Sequence, residues 1–145
     1  MSEYLSETTR AVANMITHNV LSRYPNLRVI VPHCGSYLPL AIPRMKAIYP
    51  AVQNAGLVGD IDWEEQLSRL YYDLAGNPSP EIIKAMLTIT DISHILYGSD
   101  YPYVAPDILK RNLGILRMNL LNDEELAPYV DDIFGKNFIK LLRNE

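Results

Sequence analysis

An α/β fold built on a parallel sheet is the architecture this sequence predicts, and three observations carry the prediction. Three short segments, 27–31, 70–74 and 94–97, are rich in β-branched, aromatic and aliphatic residues. Helical stretches separate each from the next. No hairpin signal joins any two of them, so they are expected to pair in parallel through βαβ units.

The elements follow in order. A first helix is expected over about residues 7–22, with Ser6 as its N-cap and Val12, Met15, Ile16 and Val20 on its buried face. Tyr24-Pro25-Asn26 breaks it. The strand at 27–31 stops at Pro32, and His33-Cys34-Gly35-Ser36 follows as a loop. A helical stretch punctuated by Pro39 and Pro43 leads through Arg44 to about Tyr49, and 53–60 reads as a loop. Asp62 is placed to cap a helix that begins at Trp63.

The second strand, 70–74, ends before Gly76-Asn77-Pro78. Ser79-Pro80-Glu81 sets an N-cap hydroxyl before a proline at the first helical position. Ile82, Ile83, Met86 and Leu87 give that helix its apolar stripe. After the third strand comes Gly98-Ser99-Asp100-Tyr101-Pro102. Pro106 opens another helix, and Asn122 with Glu125 has the spacing of a capping box for one more. Gly135 is expected to end that helix, and a last one covers about 137–142. No repeat, low-complexity tract or linker divides the sequence, so 1–145 reads as a single unit.

Composition narrows the function. Apolar residues make up 48% and charged residues 21%, as in an ordinary globular domain. The formal net charge is −4 and the basic residues are scattered, which argues against nucleic acid as a partner. No apolar run approaches the roughly 20 residues of a membrane span, and the first residues lack a signal-peptide core. A cytoplasmic location is the expectation. The single cysteine, Cys34, leaves no intrachain disulfide to form.

Two side chains stand where chemistry is expected. His33 and Asp100 each follow a strand, at the edge where α/β folds bind ligands. An imidazole and a carboxylate meeting there can hold a metal, or act as a base and its orienting partner. They can equally be a hydrogen-bonded loop histidine and a turn-forming aspartate. Spacing alone does not choose between these. Cys34 is expected to point away from His33. Asp73 ends its strand at the same edge and is placed to face the opening there, with a capping or structural role as its simpler reading. His94 opens its strand and so belongs to the opposite edge, and His18 reads as a surface residue. Tyr71, Tyr72, Tyr97, Tyr101 and Tyr103 read as packing and pocket wall.

A set of motifs goes further. V-P-H-C-G-S-Y-L-P (31–39), Y-Y-D-L-A-G (71–76) and I-L-Y-G-S-D-Y-P (95–102) occur in that order. T-T-R-A-V (8–12) precedes them and I-F-G-K-N (133–137) follows. Together they resemble the amidohydrolase-related family, whose members include aminocarboxymuconate-semialdehyde and resorcylate-type decarboxylases. The resemblance implies the C-terminal portion of a TIM-type (β/α)8 barrel, with the three strands as its sixth to eighth. It implies a metal-dependent hydrolase or non-oxidative decarboxylase acting on a small carboxylated cyclic or aromatic substrate. Asp100 would be a ligand of a divalent metal, zinc or else manganese, and His33 the acid–base group beside it. Arg44, eleven positions after His33 (44 − 33 = 11), would bind a substrate carboxylate in a neighbouring subunit. An exposed helix arginine is the other reading of Arg44.

A whole barrel has eight strands and typically about 250 residues. The family's H-x-H pair on the first strand and its metal-binding histidine on the fifth have no counterpart in this sequence. Catalytic zinc usually takes three protein ligands, and Asp100 with His33 falls short of that. The expectation is therefore a truncated, split or fragmentary chain. It either meets a complementing N-terminal half or forms a homo-oligomer, or it is a non-catalytic remnant or assembly module that binds no metal.

Overall fold

The computed structural model describes residues 2–143. A three-stranded parallel sheet in the order β1-β2-β3 organises them: β1 is Val29–Val31, β2 Leu70–Asp73 and β3 Ile95–Leu96. Helices α1 (Glu3–Thr17) and α2 (Val20–Arg23) precede β1. Helices α3 (Leu38–Asn54) and α4 (Trp63–Ser68) connect β1 to β2, and α5 (Pro80–Met86) connects β2 to β3. After β3 come α6 (Pro106–Leu121) and α7 (Asn137–Arg143). This is the expected α/β architecture with flanking helices. Among the described residues, no helix is long and apolar enough to cross a membrane.

Register explains where the core sits. Val31, Tyr72 and Ile95 lie side by side across the three strands, so their side chains share one face of the sheet, and all are buried. Leu21, Leu38, Ile42 and Leu70 join the same apolar cluster. The opposite face is less covered: Ile30 is 40% exposed, and its lateral neighbour Tyr71 is half-buried. Two buried polar side chains tie elements together. Gln66 accepts from the Leu21 amide at 3.3 Å and donates to Ser22 Oγ, tying α4 to α2. Asn137 Nδ2 donates to the carbonyls of Ile92 and Ile95 at 3.0 and 2.9 Å, tying α7 to the start of β3.

Several element boundaries differ from the sequence reading. α1 begins at Glu3 rather than near Ser6, and it ends at Thr17. Asn19 adopts a left-handed conformation (φ 50°) and donates to the Asp60 carbonyl, so Val20 and Leu21 belong to a separate short helix. α3 runs through Pro43 and Pro50 to Asn54, because packing of Leu38, Ile42, Met45 and Tyr49 on the core outweighs the two missing amide donors. Asp62 caps α4 as expected, accepting from the Glu65 amide at 3.0 Å. Asn122 does not form a capping box: it closes α6, and Asp123 instead accepts from the Glu125 and Leu126 amides. Gly135 ends no helix, since it lies within a π-turn (Asp132–Lys136) that runs into α7.

Candidate functional site

The turn after β1 holds four consecutive residues in the left-handed region: His33 (φ 55°), Cys34 (56°), Gly35 (71°) and Ser36 (56°). For the three that are not glycine, this backbone costs roughly 1–2 kcal/mol each, so neighbours must hold it. Asp73, the last residue of β2, does so. Its carbonyl accepts from the Cys34 amide at 2.8 Å, and its Oδ1 accepts from the His33 amide at 2.9 Å. Within the turn, the Ser36 amide donates to the His33 carbonyl at 2.8 Å. Gly35 lies flat against Tyr72, where an added Cβ would come 3.0 Å from the ring.

Asp100 stands four residues beyond β3, further than the sequence reading placed it, and is also left-handed (φ 63°). Its carboxylate faces His33, with Nε2 to Oδ1 at 3.6 Å. That is longer than a hydrogen bond, so the two groups are opposed without being directly bonded. Their side chains are 25% and 26% exposed, so both are reachable from solvent at this edge of the sheet. His33 Nδ1 is buried without a partner. The Tyr4 ring lies 5.1 Å from the imidazole at a 58° tilt. No sequence signal indicated Tyr4, which reaches the site only through the packing of α1.

The other candidates separate cleanly. Cys34 is buried in the core, and burial, aided by the nearby Asp73 charge, pushes its thiol up to about 12. It is no nucleophile near neutral pH. Arg44 is exposed on α3 and does not join the pair. His94 sits at the opposite edge of the sheet, accepting or donating at the Leu70 carbonyl (2.9 Å) and stacked on Tyr71 at 4.3 Å. His18 is exposed at the end of α1. Tyr97 stacks on Phe134, but Tyr101 and Tyr103 are exposed and line no core.

Asp100 also borders a cavity of about 140 Å³ that runs under α6, lined by Asn77, Tyr97, Ser99 and Asn112 among others. A groove of about 380 Å³ opens at the far edge, by Lys46, Glu64 and His94, away from the opposed pair. The opposed pair, through Asp100, therefore borders the smaller of these two openings. Among the described residues, no cluster of three or more His, Cys, Asp or Glu is spaced to hold a metal ion. Asp100 offers an anionic oxygen suited to a divalent cation, with His33 beside it. These two donors fit part of a catalytic metal site and do not complete one.

Comparison with known proteins bears on this edge of the sheet. The sequence model of the amidohydrolase family matches residues 3–143. A 6-methylsalicylic acid decarboxylase of Penicillium expansum is 29% identical over 124 residues, covering 86% of this chain and 38% of the relative. A crystal structure described as amidohydrolase II superposes with a TM-score of 0.76 at 28% identity, over 96% of this chain and 42% of that one. A 5-carboxyvanillate decarboxylase from Novosphingobium aromaticivorans, in complex with manganese and 4-hydroxy-3-methoxy-5-nitrobenzoic acid, reaches 0.79 at 20% identity. It is matched over 97% of this chain and 40% of its own. The chain thus spans about two fifths of the length of the proteins it matches.

Proposed function

Because this chain belongs to the amidohydrolase family, we propose that it contributes the proton-transfer end of a metal-dependent decarboxylase acting on small aromatic carboxylates. The observation that carries the proposal is the opposition of His33 and Asp100 across the strand ends. The names of the curated relatives, decarboxylases of 6-methylsalicylic acid among them, favour loss of carbon dioxide over hydrolysis.

In this reading Asp100 is one ligand of a divalent cation, zinc or manganese, and the remaining ligands come from outside the described residues. When bound, such a cation supplies a Lewis acid that holds and polarises substrate oxygens. His33 delivers a proton to the ring carbon that bears the carboxylate. The bond from that carbon to the carboxylate then breaks, its electron pair returns to the ring, and carbon dioxide leaves. Arg44, being exposed, is free to reach a substrate carboxylate in a neighbouring subunit. A guanidinium suits that task because its planar fork pairs with both oxygens.

The partner that completes the site is a polypeptide carrying the front β/α units of the barrel. The half-covered sheet face around Ile30 supports this. Two copies of this chain would give only six of the eight strands a barrel needs.

The test is decarboxylation itself. The chain is combined with the remainder of the Penicillium expansum relative and with manganese or zinc, and carbon dioxide release from 6-methylsalicylate is followed. Release that stops with His33→Ala supports the proposal. No release from a stable, metal-loaded complex overturns it and leaves an assembly module as the reading.

A further inference from the structure

We infer that Asp73 is the positioning residue of the His33/Asp100 pair, a role that for its catalytic consequence rests on the function proposed above. His33 follows β1 and Asp100 follows β3, and β2 runs between them. Asp73 is the last residue of β2, so it lies under the gap that the two side chains span.

Its contacts reach both ways. Toward β1, Oδ1 accepts from the His33 amide at 2.9 Å, and the Asp73 carbonyl accepts from the Cys34 amide at 2.8 Å. The same Oδ1 accepts from the Ala75 amide at 3.0 Å, which fixes the carboxyl in one orientation. Toward β3, the carboxyl packs on Gly98, two residues before Asp100. A Cβ at Gly98 would come within 2.8 Å of Asp73 Cγ and 2.9 Å of its Cβ. One short side chain thereby sets the left-handed turn that aims the imidazole, and it also sets how closely the Asp100 loop approaches.

The chemistry explains why a carboxylate suits the position. A single oxygen must accept two amides, and the side chain must be short enough for Gly98 to close over it. Glutamate is a methylene too long, and alanine would leave the His33 and Ala75 amides without their acceptor while releasing the strained turn.

The test uses NMR on the full chain and so needs no turnover. Wild type, Asp73→Ala and Asp73→Asn are compared for the cross-peak between the Tyr4 and His33 rings and for exchange of the His33 and Ala75 amides. Asp73→Ala is expected to lose the cross-peak and the protection of both amides. The Leu74 amide, bonded to the Leu96 carbonyl at 2.9 Å, should stay protected, which shows the sheet is intact. Asp73→Asn, which keeps the accepting oxygen, should restore both signals. In the completed, metal-loaded protein, kcat of Asp73→Ala should fall about a hundredfold with KM little changed.

A folded Asp73→Ala that keeps the ring cross-peak overturns the inference, as does an Asp73→Asn as damaging as the alanine. If Asp73→Ala does not fold, Gly98→Ala takes its place, because its methyl would crowd Asp73 Cγ and Cβ and drive the carboxyl off the two amides while keeping the aspartate itself, with the Leu74 amide again reporting on the sheet. Retention of the cross-peak there is equally contrary. Should no variant, wild type included, release carbon dioxide, the proposed function fails while the NMR comparison still decides the role of Asp73.

Discussion

His33 and Asp100 face each other at 3.6 Å although the strands that carry them do not pair. Adjacent strands lie about 4.8 Å apart, so β1 and β3 are separated by roughly twice that, and the side chains close the distance only by converging over the end of β2. Convergence of this kind is what a parallel sheet offers at its C-terminal edge: separate loops deliver unlike groups to one point.

Replacing His33 by alanine in the completed protein should abolish turnover and leave the metal in place. Carbon dioxide release and metal content, measured on the same preparation, check both halves of that statement. Loss of metal together with activity would make His33 a ligand and overturn its role as proton donor.

Cys34 should behave as a buried, protonated thiol. In the unfolded chain a cysteine ionises near its ordinary value of about 8.5, whereas in the fold it holds its proton up to about 12. The folded value is the higher one, so this group's stabilising contribution is whole below the unfolded value and declines as pH rises toward the folded one. Denaturant unfolding between pH 8 and 11 should show stability falling by at most about 1.4 kcal/mol per pH unit through this group, a slope that Cys34→Ala removes. Alkylation at neutral pH should be slow in the native chain and fast in denaturant. Rapid labelling of the native chain would contradict the burial.

Tyr72 packs the centre of the sheet with its hydroxyl buried and unpartnered. Tyr72→Phe should therefore be neutral or stabilising by about 1 kcal/mol, since an unpaired buried hydroxyl is a cost. Tyr72→Ala should lose about 3–5 kcal/mol through the cavity it leaves. Urea midpoints of the two variants separate these effects. A Tyr72→Phe markedly less stable than wild type would mean that the hydroxyl has a partner.

Asn137→Ala should cost about 2–3 kcal/mol, because it strips the donor from two carbonyls, those of Ile92 and Ile95, at the foot of β3. Thermal unfolding measures the loss. A cost under about 0.5 kcal/mol would show that water replaces the amide without penalty.

Much of this arrangement is legible in the residues themselves. The three strands, the Asp62 cap, the proline starts at Pro80 and Pro106 and the convergence of His33 with Asp100 all follow from pattern and motif. What escapes is set by tertiary contact. Asp73 is legible as a residue at the open edge of the sheet, but not its contacts, which depend on the register of β2 against β1 and on Gly98 after β3. Tyr4 meets His33 only once α1 is docked, and Asn137 looks like any helix residue until it reaches the two carbonyls. α3 outruns its prolines for the same reason: burial of Leu38 and Ile42 decides its length more than local propensity does.

The measurement that reaches the centre of the account is metal content by plasma mass spectrometry on the completed protein, wild type against Asp100→Ala. About one equivalent of zinc or manganese in wild type, lost in the variant, is the result expected if Asp100 ligates the cation beside His33. Metal retained undiminished in Asp100→Ala would contradict it and place the cation elsewhere.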